Sequence, residues 1–183
     1  MASYYYLTAS LPMLKPDNEP PFTEEQFLAL CRRHLNPKDL TVLEKLSQNG
    51  EDETVAVHNN AAEAWIAFDR MMSAELAQNR AERLQVPDKE TYAKSGFCPA
   101  AVREAVKKAV TADSPLEAEY LLFKVRFSYL EELSINHHFD LTRIVVYYLK
   151  LKMMIRKSYF NYELGEQEFK RLLSNIKTSI NSV

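Results

Sequence analysis

The stretch EELSINHHFD, residues 131–140, is the part of the chain whose residue types best suit metal binding. It places Glu132, His137, His138 and Asp140 close together, and imidazole and carboxylate groups are common ligands of transition metals. Adjacent histidines in a loop between helices point in different directions, whereas a ligand set has to converge on one ion. We therefore expect no metal here and interpret these side chains as solvated loop residues.

Motifs of the common enzyme classes are absent from the sequence. It has no Gly-rich phosphate loop, no HExxH, no CxxC and no GxSxG. We therefore expect a protein that is not an enzyme and that binds no cofactor. Cys31 and Cys98 are too few for a disulfide framework, and the chain starts without a signal-like leader, so we expect a cytoplasmic protein with two buried thiols.

Cationic residues are concentrated at the C-terminal end, although the formal net charge of the whole protein is only −2. Residues 141–183 hold eight Lys or Arg and three Asp or Glu, a net charge of +5, whereas residues 1–140 carry a net charge of −7. Such asymmetry often marks a surface that meets an oppositely charged partner. The C-terminal segment is therefore the candidate binding region.

The segment DLTRIVVYYLKLKMMIRKSYF, residues 140–160, is mainly apolar but carries five cations. At 100° per residue its apolar side chains form two seams on different sides of one helix. The cations lie between the seams in two rows, which consist of Arg143, Lys150 and Lys157 and of Lys152 and Arg156. Neighbours are expected to clasp both seams while the cations reach water along the flanks. With Arg126, these five are the predicted partner-binding residues; the alternative is that the rows are only solvated flanks.

The preceding segment SPLEAEYLLFKVRFSYLEELS, residues 114–134, is the predicted neighbour of this helix. Its core face consists of Leu116, Tyr120, Phe123, Phe127 and Leu130, broadened by Leu122 and Leu133. Glu119 and Arg126 project from the same apolar arc. Either both side chains extend past the core to water, or they form an internal ion pair or a socket for a partner's charge.

Lipid and nucleic acid are both poor candidates for the partner. A transmembrane helix needs about 20 mainly apolar residues, and IVVYYL, the longest uncharged run of the cationic segment, has six. Tyr147, Tyr148 and Tyr159 next to basic residues favour nucleic acid, but they lie mainly on the apolar seams and not on a platform for bases. We therefore expect no transmembrane segment and no nucleic-acid partner.

Seven helix starts can be recognised from capping patterns, and only 3 Gly leave little room for tight β-hairpins. The starts are Thr23 with Gln26, Asn36 before Pro37, Asn60 with Glu63, Cys98 before Pro99, Ser114 before Pro115, Asp140, and Gly165 with Glu168. The sequence therefore predicts an all-α fold of about seven helices in an orthogonal or bundle-like array. We expect one domain over residues 1–183, with a weak subdivision near 87–98 into 1–86 and 99–183.

Two stretches lack a clear helical pattern. SYYYLTASLPMLKPDNEPPF, residues 3–22, fits either a short strand or a helical turn that runs into an extended arm, because its second half is rich in proline. The acidic loop GEDETVAVHNN contains Val55 and Val57, which are candidates for brief pairing with an extended segment such as this arm.

Parts of the sequence resemble proteins associated with rotary ATPases. Residues 139–176, FDLTRIVVYYLKLKMMIRKSYFNYELGEQEFKRLLSNI, follow EAEYLLFKVRFSYL and resemble the end of the C subunit of V/A-type ATPases, called d in eukaryotes. There a helix with E-x-E, a cationic helix and a short helix with G-x-x-x-x-x-F/I-x-x-x-L occur in this order. YYYLTASLPML, followed by FLALCRRHLNPKDLTVLEKL, resembles a bacterial family of unknown function that accompanies V-type ATPase operons, over nearly the whole chain.

These resemblances imply an all-helical protein without enzymatic activity. The C subunit is a funnel that sits on the membrane rotor ring and receives the foot of the central stalk, but this chain is far too short for its three pseudo-repeated helical units. A reduced socket, an accessory protein and an assembly factor are the roles left open. The implied partners are other V/A-type ATPase subunits at the cytoplasmic face of the membrane. A free-standing helical interaction scaffold is the alternative.

Overall fold

The computed structural model describes residues 4–48, 59–86, 97–160 and 162–181, which form eight helices and no strand. The helices are α1 (Tyr4–Ser10), α2 (Glu24–His34), α3 (Pro37–Gln48), α4 (Asn60–Arg83), α5 (Ala100–Thr111), α6 (Pro115–Leu133), α7 (Leu141–Ser158) and α8 (Tyr162–Asn181). The predicted all-α class is confirmed, and the described residues contain one helix more than the seven predicted.

Capping residues predicted from the sequence begin four of the eight described helices. Thr23 and Gln26 form a complete capping box, in which the Gln26 N–H donates to Thr23 Oγ1 at 3.3 Å and the Thr23 N–H donates to Gln26 Oε1 at 3.0 Å. Asn36, Ser114 and Asp140 each accept from a backbone N–H in the first turn of α3, α6 and α7. These acceptors satisfy N–H groups that have no partner inside the helix, so local sequence determines where the helices begin.

The predicted start of α8 is wrong in position, whereas α4 begins at Asn60 as predicted. The cap of α4 is the preceding residue, Asn59, whose side chain accepts from two backbone N–H groups at 3.0 and 3.1 Å. Helix α8 begins at Tyr162, so Gly165 lies inside its first turn and does not cap it. A glycine inside a helix costs only about 1 kcal/mol relative to alanine, which a helix of 20 residues tolerates.

The N-terminal stretch is helical, which decides between the strand and the helical turn. Helix α1 buries Leu7, and residues 11–22, here called the N-terminal connector, follow without helix or strand. The connector is fixed at Pro16, whose carbonyl accepts from Lys157 Nζ at 2.6 Å. Val55 and Val57, the proposed pairing partners of an extended arm, lie outside the described residues.

Helix α7 is the central element of the main core. All eight residues from Ile144 to Leu151 are buried, and α7 contacts α1, α2, α3, α4 and α6. Phe27 of α2 stacks on Tyr147 and Tyr148, with ring centroids 5.4 and 5.6 Å apart. The prediction that neighbours clasp only two seams is therefore wrong for Ile144–Leu151, a stretch that is enclosed on every side.

A second core lies between α4, α5 and α6. It contains Phe68, Met72, Val102, Val106 and Leu122. Helices α4 and α6 also contact α7, so they connect the two cores. Helices α4 and α5 share the second core although they lie on opposite sides of the predicted subdivision; the intervening residues 87–96 are outside the described part of the chain.

Helix α8 presents apolar side chains to solvent. Among the described residues, α8 packs against none of the other seven helices. Phe169 is 63% exposed, and Leu172 and Leu173 are also exposed. The first helix, α1, packs against α2 and α7, whereas α8 makes no such contact within the described residues. The first and last helices therefore contribute unequally to the core.

We predict that Phe27→Ala lowers the free energy of unfolding by about 3–5 kcal/mol, because it removes a fully buried ring from the contact with Tyr147 and Tyr148. The matched control Phe169→Ala removes an exposed ring and should change this free energy by less than about 0.5 kcal/mol. Urea unfolding followed by circular dichroism measures both values. Similar losses in the two variants would contradict the placement of the core.

Candidate functional site

The six predicted binding residues do not form one surface. Arg126, Arg156 and Lys157 line one concave surface, while Arg143 and Lys150 line another. The sixth, Lys152, lines neither of them. The predicted partner contact is therefore divided into two candidate sites and one structural contact, and the division does not follow the two cationic rows expected from the helical wheel.

The first surface is a cleft of about 620 Å³ between α4, α6 and the C-terminal end of α7. We call it the aromatic cleft and define it by Trp65, Tyr120, Phe123, Met153 and Phe160. Tyr120 and Phe123 lie about one turn apart on α6, so their side chains point in similar directions. Trp65 lies on the neighbouring helix α4 and joins them in lining the cleft. Large apolar and aromatic side chains in a concave surface are typical of ligand and protein docking sites.

Arg126 forms an ion pair within the lining of the aromatic cleft. Its Nε donates to Asp69 Oδ1 at 2.8 Å and so connects α6 to α4. The Arg126 side chain is only 21% exposed, so Asp69 holds it inside the protein. Of the interpretations left open by the sequence, the internal ion pair is correct for Arg126. Its partner is not Glu119, which is half-buried and lacks a hydrogen-bond or ion-pair partner among the described residues.

Lys157 is held against the aromatic wall of the same cleft. Its Nζ lies 5.1 and 5.3 Å from the ring centroids of Tyr120 and Phe123, where the cation is attracted by the ring faces. The same ammonium group donates to the carbonyl of Pro16. Lys157 therefore fixes the N-terminal connector and supports the cleft wall at the same time.

The rim of the aromatic cleft carries both signs of charge. Glu117 and Glu119 lie in the first half of α6, and Arg156 and Lys157 lie near the end of α7. Arg156 is exposed, and within the described part of the chain its side chain has no hydrogen-bond or ion-pair partner. Of the three predicted residues in this cleft, Arg156 is thus the one whose charge is available to a partner.

The second surface is a cavity of about 510 Å³ between the N-terminal connector, the end of α6 and α7. We call it the tyrosine cavity and define it by Leu11, Glu131, Arg143, Tyr147 and Lys150. Lys150 is only 7% exposed, so the prediction that its row lies along a solvated flank is wrong at this position. The reason is that α6 and the N-terminal connector cover this side of α7, which a helical wheel does not reveal.

Lys150 keeps few polar contacts inside the protein. Its Nζ is 3.5 Å from Glu131 Oε1 and 4.7 Å from the centroid of the Phe127 ring. Burial lowers the pKa of Lys150, while the attraction of Glu131 offsets part of that effect. The ammonium group is therefore largely desolvated and has one carboxylate partner among the described residues.

The adjacent residues Tyr147 and Tyr148 differ in how their hydroxyl groups are satisfied. The Tyr148 hydroxyl donates to Glu24 of α2, whereas the Tyr147 hydroxyl is buried and has no hydrogen-bond partner in the described structure. Burial raises the pKa of Tyr147 to about 12; burial and the bond to Glu24 raise the pKa of Tyr148 as well. Both phenols are therefore neutral hydrogen-bond donors at neutral pH.

Lys152 closes the C-terminal end of α3. Its Nζ donates to the carbonyl of Leu46 at 2.9 Å and lies 5.7 Å from the ring centroid of Tyr148. The last carbonyls of a helix have no partner within the helix, and a cation near them is favourable. Lys152 is thus a structural residue, which sequence analysis placed in the binding set because the position of α3 was unknown.

Of the four side chains considered as metal ligands, His137 and Asp140 form a pair. His137 Nδ1 hydrogen-bonds to Asp140, which also caps α7, and His138 is exposed. Over residues 4–48, 59–86, 97–160 and 162–181, no three His, Cys, Asp or Glu side chains are grouped as a metal site would require.

No helix in the described part of the chain is both long and apolar enough to cross a membrane.

These features define the class of the protein as all-α, with one aromatic and one cationic concave surface. Residues 101–180, from the start of α5 to the end of α8, match the model of a family described as a protein of unknown function, DUF2764. No curated protein and no solved structure matches the chain. The family match includes most residues of the aromatic cleft, but of the tyrosine cavity it includes only the part from Glu131 onward, and it attaches no activity to either surface.

We predict opposite effects for the two adjacent tyrosines. Tyr148→Phe should lower the free energy of unfolding by about 1–3 kcal/mol, because it removes the hydrogen bond to a buried part of Glu24. Tyr147→Phe should leave it unchanged or raise it by up to about 2 kcal/mol, because it removes a buried hydroxyl without a partner. Urea unfolding at pH 7 tests this pair, and a larger loss for Tyr147→Phe would contradict the assigned contacts.

Proposed function

We propose that the protein is a non-catalytic helical subunit or accessory protein of a V/A-type ATPase. It adapts or couples the central stalk to the membrane rotor, or it assists assembly of the complex, and it reaches the cytoplasmic face of the membrane through its partners. The resemblance of residues 139–176 to the end of the C subunit supports this proposal. So does the resemblance of nearly the whole chain to a bacterial family of unknown function that accompanies V-type ATPase operons.

The observation that carries the proposal is the aromatic cleft. A coupling or assembly protein has to hold another protein firmly, and it needs a preformed concave surface rather than acid–base or metal chemistry. The cleft offers Trp65, Tyr120 and Phe160, and aromatic residues of this kind supply most of the binding energy in many protein interfaces. Its walls are the packed helices α4, α6 and α7, so little conformational freedom is lost when a partner docks.

We infer that the occupant is an amphipathic helix of a partner ATPase subunit. An apolar helix face that enters a hydrophobic groove is a recurrent mode of recognition. The rim charges select the flanks of that helix: Glu117 and Glu119 favour basic residues along one edge, whereas Arg156 favours acidic residues along the other. This arrangement also fixes the direction in which the helix docks, because the reversed helix would place like charges together.

Charge and apolar contact in the cleft can be removed without disturbing the core. Arg156 lies in the last turn of α7 and Phe160 lies two residues after its end; both side chains are exposed and follow the buried stretch Ile144–Leu151. The double variant Arg156→Glu with Phe160→Ala reverses one rim charge and removes one aromatic anchor. Arg33→Glu on α2 is the matched control, because Arg33 is an exposed cation that lines neither the aromatic cleft nor the tyrosine cavity.

The test is affinity purification of the tagged chain from its native host, with quantitative mass spectrometry. We predict that wild type and Arg33→Glu recover V/A-type ATPase subunits in equal amounts and that the double variant recovers at least tenfold less. Absence of ATPase subunits from the wild-type sample would refute the assignment to this complex. Equal recovery by all three proteins would refute the aromatic cleft as the contact.

The same samples distinguish the alternative functions. A free-standing scaffold would recover an unrelated protein in a cleft-dependent manner. A nucleic-acid-binding module would recover RNA or DNA, and its affinity would fall steeply as salt is increased.

A further inference from the structure

The tyrosine cavity contains polar groups that the proposed function does not use. It shares no lining residue with the aromatic cleft. Its volume of about 510 Å³ lies within the usual range for small-molecule sites, about 300–1,000 Å³. The cavity can therefore be considered as a separate site.

The charge of the cavity lining is positive. Three cations, Lys15, Arg143 and Lys150, face one carboxylate, Glu131. That carboxylate is a poor partner for Lys150, because the two groups are 3.5 Å apart and the Glu131 side chain is 57% exposed to water. A desolvated ammonium group needs a close anion, and here the nearest one remains mostly solvated.

The groups that could bind an anion are aligned on α7. Arg143, Tyr147 and Lys150 are separated by four and three residues, so they lie along one stripe of the helix. Within the described residues Arg143 is exposed and its side chain has no partner, and the Tyr147 hydroxyl is buried without a hydrogen bond. The guanidinium and ammonium groups only donate hydrogen bonds, and the neutral phenol has an O–H that is free to donate.

The remaining lining is mainly apolar; its two hydroxyl residues, Thr8 and Ser134, donate to backbone carbonyls of their own helices. Leu11 and Leu14 come from the start of the N-terminal connector, and Val146 comes from α7. An inorganic ion would leave this part of the cavity unfilled. An organic anion of several carbon atoms would bury apolar surface there while its charged group meets the donors.

We propose that the tyrosine cavity binds a small organic oxyanion. Its carboxylate or phosphate group accepts from Arg143, Tyr147 and Lys150, and its short apolar body packs against Leu11 and Leu14. The positive lining and the unused hydroxyl explain why an anion is preferred to a cation or to a neutral apolar molecule. This site does not depend on the assignment to an ATPase.

The test uses hexanoate and monohexyl phosphate as probes, with hexylammonium as a control that has the same apolar body and the opposite charge. Titration calorimetry on the full-length protein, at pH 7 and constant ionic strength, should show one site for at least one of the two anions. The comparison of these anions identifies the preferred head group. Hexylammonium should bind at least tenfold more weakly.

Variants assign the binding to the stripe on α7. Arg143→Ala and Lys150→Met should each weaken anion binding at least tenfold, and Tyr147→Phe should weaken it about threefold or more. Arg156→Ala, which removes an exposed cation outside the cavity, should leave the affinity unchanged. If Lys150→Met does not fold, Arg143→Ala and Tyr147→Phe still test the binding site. Both variants should fold, because the first changes an exposed side chain and the second removes a single hydroxyl.

Three results would overturn the proposal. Neither anion binds; hexylammonium binds as tightly as the anions, which would indicate an unselective apolar cavity; or Arg156→Ala weakens binding as much as Arg143→Ala, which would indicate general attraction to the basic end of the chain.

Discussion

The burial of α7 on every side is the constraint on which the rest of the structure depends. Eight consecutive residues, Ile144–Leu151, are removed from solvent, so more than two turns of this helix have no polar face. Five other helices are needed to surround it. Because Lys150 falls within this stretch, the fold also has to enclose a cation, and the tyrosine cavity is the place where it does so.

The other lysines of α7 act as links between chain segments that are distant in sequence. Lys152 holds the end of α3 through the Leu46 carbonyl, and Lys157 holds the N-terminal connector through the Pro16 carbonyl. Both keep their long apolar stems against the protein and use the ammonium group at the far end, as long cationic side chains commonly do. The basic charge of the C-terminal segment is therefore partly structural, and the charge available to partners is smaller than the composition suggests.

Local features of the fold could be predicted from the sequence, whereas the environment of the cations could not. A capping residue such as Thr23 or Asp140 acts on N–H groups within three positions, so its effect is visible in a short window. The burial of Lys150 and the pairing of Arg126 with Asp69 depend on which helices pack together. Helical periodicity places residues on a face but does not say which neighbour covers it, so one predicted surface became two.

Native-state hydrogen exchange of the α7 amides tests the central role of this helix most directly. Amides in the buried half of a central helix exchange only when the whole protein unfolds. We therefore predict that the amides of Val146–Leu151 give opening free energies equal to the free energy of unfolding measured in urea, and that amides of Phe169–Leu173 in α8 give much lower values. If the α7 amides exchange through openings several kcal/mol less costly than global unfolding, α7 is not the element around which the fold is built.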